Sequence, residues 1–227
     1  MTPALDAVDA DPRKARPMPA RVHAIVPAAL CMLLALPLGA CGIRSSGGPV
    51  EIPDPSVQIR QAQDLARRAQ EADKSGRKDE AVALYRQAVQ SYRDFPAAWN
   101  NLAVLLMEQQ KNMEAFEAFQ VAAELAPTDP RPPANMGMLW QKLGYPGDAG
   151  KFYTTALERD PNYLPALRES VLLDTQLDKV TSETANRVRR ALQIETDRAW
   201  REELMRRHTI IEERLASGKD SGARTNR

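Results

Sequence analysis

The sequence predicts an all-α chain: a solenoid of antiparallel helix pairs, closed at its C-terminal end by a capping helix. Three observations carry this expectation. A block of 34 residues recurs three times without a gap, at 62–95, 96–129 and 130–163. Self-similarity at a fixed period of roughly 20–50 residues marks stacked repeats, each one supersecondary unit. Within each block the small and apolar residues recur at helical spacing rather than alternating. Composition agrees, with only 5% aromatics and much Ala, Leu, Arg and Glu, which favour helix.

The first element lies ahead of the repeats. Residues 13–23 (RKARPMPARVH) are basic, and residues 24–40 (AIVPAALCMLLALPLGA) are apolar and uncharged. That order is the order of a secretory signal. The run is short against the ~20 apolar residues of a comfortable membrane span, and it carries Pro27 and Pro37. It ends in Leu38-Gly39-Ala40-Cys41, which resembles a bacterial lipobox. The resemblance implies a diacylglyceryl group on the Cys41 thiol, cleavage before Cys41 and N-acylation of the new terminus. Two or more acyl chains anchor a protein stably where one does not. Residues 1–40 are therefore expected to be a lipoprotein signal peptide. Residues 1–12 hold three aspartates, out of keeping with a signal, and Met18 offers an alternative start. Residues 41–57, rich in Gly, Ser and Pro, read as a flexible tether. By the same resemblance, Gly42 rather than aspartate after the cysteine points to the outer membrane, facing the periplasm. An uncleaved anchor, or a cleaved signal with an incidental cysteine, is the competing reading.

The repeats come next, within a domain expected over 58–195. Aligned on the 34-residue period, the first helix of each unit offers Leu65, Trp99 and Pro133 at its large position and Ala69, Ala103 and Gly137 at its small one. The turn is Gly76, Gln110 and Gly144. The second helix has Ala81, Ala115 and Ala149, then Tyr85, Phe119 and Tyr153, then Ala88, Ala122 and Ala156. Pro127 and Pro161 close the second and third units, where the first has Arg93. In period and position this pattern resembles the tetratricopeptide repeat (TPR) family. The resemblance implies a right-handed superhelix. Small residues let paired helices approach, aromatics fill the space between pairs, and the proline ends the second helix. Pro133 suits the first turn of a helix, where no backbone donor is needed.

A fourth, degenerate unit is expected over 164–195, since Ala185, Val188, Ala191 and Leu192 share a face but no aromatic follows. The capping helix is expected over 196–217. There Trp200, Leu204, Ile211 and Leu215 recur at helical spacing amid charge. The same helix read as a dimer or partner contact is the alternative. Residues 218–227 read as a disordered tail.

Charge and cysteine content bound the function. The net charge of +1 gives no reason to expect nucleic acid as partner. Cys31 and Cys41, the only cysteines, both lie in the apolar segment, and His23 and His208 are the only histidines. No Ser/His/Asp set, metal-ligand spacing or Gly-rich phosphate loop is present, so no catalytic residue, metal or cofactor is expected. For an enzyme reading, carboxylates such as Asp160 or Glu169 are the acid–base candidates. The arginines 187, 189, 190, 201, 206 and 207 are offset by Glu202, Glu203, Glu212 and Glu213. They read as a solvated face with i,i+4 pairs.

What remains is a binding surface. TPR superhelices commonly bind peptides on the concave side, lined by the first helix of each unit. By that resemblance the lining is Gln63, Ala66, Arg67 and Gln70, then Asn100, Asn101, Val104 and Glu108, then Arg131, Asn135, Met138 and Lys142. The mixture suits an extended peptide held by amide and charge contacts. TPR modules that grip chaperone tails use a basic clamp. Here only Asn101 and Arg131 match it, and Ala66, Gln70 and Asn135 fall on its other positions, so that ligand is disfavoured. The expected function is a non-enzymatic scaffold, lipid-anchored at Cys41. It would hold other proteins in the bacterial envelope for pilus, secretion or cell-wall assembly. A self-assembling structural protein, dimeric through Trp200–Leu215, is the alternative.

Overall fold

The computed structural model describes residues 54–218. The expected signal segment with Cys41, most of the expected tether and the expected tail after Gly218 lie outside them. Among the described residues nine helices follow one another and there is no strand. They are α1 Pro55–Lys74, α2 Lys78–Ser91, α3 Pro96–Glu108, α4 Asn112–Leu125, α5 Arg131–Lys142, α6 Pro146–Arg159, α7 Leu164–Gln176, α8 Ser182–Ile194 and α9 Arg198–Ala216.

Helix α1 begins at Pro55, inside the stretch 41–57 expected to be a tether. Asp54 is the reason. Its carboxylate accepts the Ser56 N–H at 2.9 Å, and Pro55 supplies the φ a first helical residue needs.

Each helix pair turns through one residue in the left-handed region. These are Gly76 (φ 75), Gln110 (φ 62), Gly144 (φ 85) and Asp178 (φ 54). One residue on, a backbone N–H reaches back five residues: Arg77 to Ala72, Lys111 to Leu106, Tyr145 to Trp140 and Lys179 to Asp174, each at 2.9 Å. This is the Schellman closure of a helix end. Asp178 stands one repeat after Gly144, so the α7–α8 pair keeps the repeat's turn although it lacks the aromatic. The Arg214 guanidinium pairs with the Asp178 carboxylate at 3.1 Å.

Helices pack onto their sequence neighbours, and α3 also touches α5, and α5 touches α7. The even helices α2, α4 and α6 make no comparable contact with one another. The odd helices thus form the inner layer and the even ones the outer. Three apolar clusters run along the stack. One joins α1–α4 with Met136 and Leu139. A second centres on Tyr153 with Ala134, Ala149, Ala166 and Leu173. The third joins α7 and α8 to α9 through Leu167, Val171, Val188, Leu204 and Ile211.

The inner small positions show why they are small. Ala69 and Ala103 are fully buried. At Gly137 a Cβ would stand 2.6 Å from Cε1 of the buried Tyr153 ring. Helix α9 closes the stack. Leu204 and Ile211 are wholly buried, and Arg214 donates to the Thr175 carbonyl at the end of α7 at 2.8 Å. Arg201 donates to the Leu192 and Glu195 carbonyls, both at 3.2 Å, at the end of α8. These orphan carbonyls carry the negative pole of each helix, so a guanidinium there satisfies both bond and charge.

Candidate functional site

The inner face carries a chain of amides. Asn101 Nδ2 donates to the Tyr85 hydroxyl at 3.1 Å, joining α3 to α2. Asn135 Nδ2 donates to Asn100 Oδ1 at 3.0 Å, joining α5 to α3. Asn100 Nδ2 in turn faces Asn101 Oδ1 at 3.4 Å. This corrects the expectation for Asn100. It is 5% exposed and spends its amide on neighbouring helices, so it does not line an open surface. The next residue, Asn101, takes the more open position.

The charged residues of the expected lining are engaged within the fold. The Arg67 guanidinium lies between Asp64 (2.5 Å) and Glu71 (2.7 Å) on its own helix. Arg131 forks onto Asp129, with Nη2 2.6 Å from Oδ2. Hydrogen bonding by Arg131, with its charge and that of Arg159, outweighs burial and holds the Asp129 carboxyl below its ordinary range. Glu108 pairs with Lys78, which raises the lysine ammonium's pKa. Lys142 Nζ donates to the Met107 carbonyl at 3.1 Å, at the end of α3. Met138 is exposed and Val104 half-buried.

Two clefts open on this face. The first, about 180 Å³, is lined by Gln70, Asp73, Lys74, Tyr85, Asn101 and Val104. The second, about 260 Å³, is lined by Met138, Gln141, Lys142, Tyr153 and Glu169. They are the same place two repeats apart: Gln70 answers to Met138, Asp73 to Gln141, Lys74 to Lys142, Tyr85 to Tyr153 and Asn101 to Glu169. In the first, burial pushes the Tyr85 phenol up, opposed by its bonds to Asn101 and Gln70. In the second, Tyr153 donates to Gln141 Oε1 at 2.9 Å. Burial also pushes the Glu169 carboxyl up, with Arg168 and Gln141 opposing. Of the expected residues, Gln70, Asn101 and Val104 meet in one cleft, and Met138 and Lys142 in the other. Asp73, Lys74, Tyr85, Gln141, Tyr153 and Glu169 were not expected there. Translating Asn101 and Asn135 by one further repeat would have found Glu169. The tyrosines read only as space-fillers because their hydroxyls have no periodic signature.

At the far end, Glu195 is 3% exposed and bound by Arg168, whose Nε lies 2.6 Å from its Oε2. Burial alone would raise this carboxyl. Arg168 and the backbone N–H groups of Asp197 and Thr196 overcome that and hold it below its ordinary value. The Arg168 guanidinium also lies 4.6 Å from the Trp200 ring centroid. Among the described residues no group of three His, Cys, Asp or Glu side chains is placed to hold a metal ion.

Comparison with known proteins agrees with this architecture. Residues 66–130 match the tetratricopeptide repeat family model. No curated protein sequence matches the chain. Among solved structures, pilF of Pseudomonas aeruginosa is similar over 70% of this chain and 73% of its own, with TM-score 0.60 and 21% identity. YrrB, described as a TPR protein with an unusual peptide-binding site, covers 74% of this chain and 85% of its own, with TM-score 0.54 and 14% identity. The first TPR of Spaghetti (RPAP3), bound to the HSP90 peptide SRMEEVD, covers 53% of this chain and 95% of its own, with TM-score 0.50 and 22% identity. At these identities the likeness is one of fold, a TPR-type α-solenoid.

Proposed function

We propose that the chain is a non-enzymatic adaptor of the bacterial envelope. It is lipid-anchored at Cys41 in the outer membrane facing the periplasm, and holds a protein partner as an extended segment along its inner face. The observation that carries the binding role is the pair of equivalent clefts two repeats apart, each with a tyrosine, a lysine and at least one side-chain amide. An extended segment gains main-chain and side-chain hydrogen bonds from such a row. The peptide-binding site of YrrB and the peptide bound to the Spaghetti TPR add support. The anchor rests on Leu38-Gly39-Ala40-Cys41 and the polar stretch that follows. Assembly of a pilus, secretion or cell-wall machine fits an adaptor so placed.

The test is crosslinking in living cells. The tagged protein and its Cys41→Ala form are compared by membrane fractionation and by mass spectrometry of what they capture. The adaptor reading expects membrane residence and recurrent envelope partners, both lost with Cys41→Ala. Equal fractionation of the two forms would remove the anchor. Capture of its own chain alone would favour self-assembly.

A further inference from the structure

The outer layer carries a groove that the inner-face reading does not use. It lies between α2 and α4, with α3 as its floor, and encloses about 330 Å³. Leu102 and Leu106 form the floor, Val89 and Trp99 the α2 side and one end, and Ala118 and Val121 the α4 wall. The repeat itself shows what belongs in this space. One unit on, between α4 and α6, Leu106 is replaced by Trp140 and Ala118 by Phe152. Those two rings stack at 6.2 Å and 23°, with the Phe116 ring meeting each edge-on at 6.1 Å. Phe116 itself answers to Val82 in the first unit. Three aromatic positions are thus aliphatic or alanine at the first junction; Trp99 stands there in place of Pro133, and beside it about 330 Å³ remains open.

The α4 wall of the rim is acidic, and Arg86 stands on the α2 side. Helix α4 contains no lysine or arginine, and Glu114, Glu117, Val121 and Glu124 share its groove-side face at helical spacing. Arg86 of α2 pairs with Glu114 across the groove. Glu117 and Glu124 are exposed and enter none of the ion pairs among the described residues. An acidic wall beside an apolar floor complements an apolar side chain with cationic neighbours.

We infer that the α2–α4 groove is a second docking site, which takes an aromatic side chain of a partner protein flanked by lysine or arginine. The aromatic ring occupies the space that Trp140 and Phe152 fill one repeat later, and the basic neighbour meets Glu117. Rings bury large area at small conformational cost and dominate such contacts.

The test uses the full chain with labelled methyl groups and two small probes of opposite charge, tryptamine and indole-3-propionate. Tryptamine should shift the Val89, Leu102, Leu106 and Val121 methyls in a saturable way. Indole-3-propionate should bind about 3-fold or more weakly, the scale of one exposed charge contact. Filling the groove with Leu106→Trp and Ala118→Phe should abolish the shifts at unchanged helix content. Should that pair fail to fold, Glu117→Lys, at an exposed position, still decides the matter: it should reverse the order of the two probes. A labelled peptide with one tryptophan between lysines should bind, and its Trp→Ala form should bind at least about 10-fold more weakly. Equal binding of both probes, shifts mapping elsewhere, or an order unchanged by Glu117→Lys would each overturn the inference.

Discussion

Gly137 of α5 faces the buried Tyr153 ring of α6, and that contact sets up opposing effects that can be measured. Gly137 lies inside α5, where replacing glycine by alanine ordinarily stabilises a helix by about 1 kcal/mol. Here the added Cβ would stand 2.6, 2.8 and 3.0 Å from three ring carbons of Tyr153. That ring is fully buried and its hydroxyl is tied to Gln141. It cannot swing into solvent, so the helix pair must part or the ring must shift. Overpacking of this kind costs about 1–3 kcal/mol. Gly137→Ala should therefore be net destabilising by about 1 kcal/mol, or roughly 2–4 °C in Tm for a chain of this size. Gly150→Ala is the internal control. It too is helical, but its Cβ would meet only Leu173 Cδ2 at 3.5 Å, an ordinary contact. It should stabilise by about 1 kcal/mol. Urea and thermal denaturation followed by circular dichroism read both. If Gly137→Ala stabilises as much as Gly150→Ala, the contact with Tyr153 does not constrain the pair and the reasoning fails. In the first two units the same position is Ala69 and Ala103, so the expected cost belongs to this pair's spacing and not to the repeat.

Other consequences follow from the turns and the cap. Gln110→Gly should stabilise by about 1 kcal/mol, because a side chain at φ 62 carries a cost that glycine lacks; unchanged stability would argue against strain at that turn. Arg168→Leu should destabilise by about 3–5 kcal/mol, since it leaves Glu195 buried without its partner, and a denaturation midpoint close to wild type would contradict this. The pH dependence has a definite sign. The folded Glu195 carboxyl lies below its ordinary 4.5, so its contribution is complete above that value and is lost as pH falls through the folded one. Urea midpoints measured from pH 7 down to pH 3 should fall in the wild type, and less in Arg168→Leu. Leu204→Ala should cost about 2–5 kcal/mol and loosen α9 from α7 and α8; hydrogen exchange in α9 would show it, and a protection pattern unchanged from wild type would exclude it.

Most of the helical architecture was legible because it rests on features with a period. Gly76, Ala81, Tyr85 and their translated copies recur at 34 residues, and each recurrence has one steric reason. The turn at Asp178 obeyed the same period. It was hidden because aspartate, unlike glycine, is not a signature of positive φ, although its register with Gly144 was on the page. The start of α1 was missed because Pro-rich sequence suggests a tether, whereas Asp-Pro-Ser also starts a helix. The binding face was harder. The spacing of Asn100 and Asn101 cannot say which amide turns inward, since adjacent helical residues differ by only about 100°. Only the Asn135 and Tyr85 contacts decide it. The arginines near the C-terminus looked like solvated charge balanced by glutamates. Arg201 of that group instead closes the end of α8, as Arg214, outside the group, closes α7, a role set by tertiary proximity that leaves no mark on spacing.

The inner amides and the outer arginines answer a common problem of stacked repeats. Each pair touches only its neighbours, so alignment must be specified again at every junction. Apolar contact alone is non-directional and tolerates sliding. At the junction of the second and third units, Asn135 meets Asn100 on the inner side. Below it, Arg159 of α6 reaches the carbonyl of Asp129 at 2.9 Å. At the next junction, Arg190 of α8 reaches that of Pro161 at 2.9 Å. These bonds have direction, so these two junctions each hold one rotational setting. The curvature of the inner face follows from those settings, and with it the spacing of the two clefts. Under the proposed function, a partner that spans both clefts is therefore sensitive to side chains it never touches. Replacing Asn135 should alter binding at both clefts together, whereas replacing Asn101 should act at the first alone.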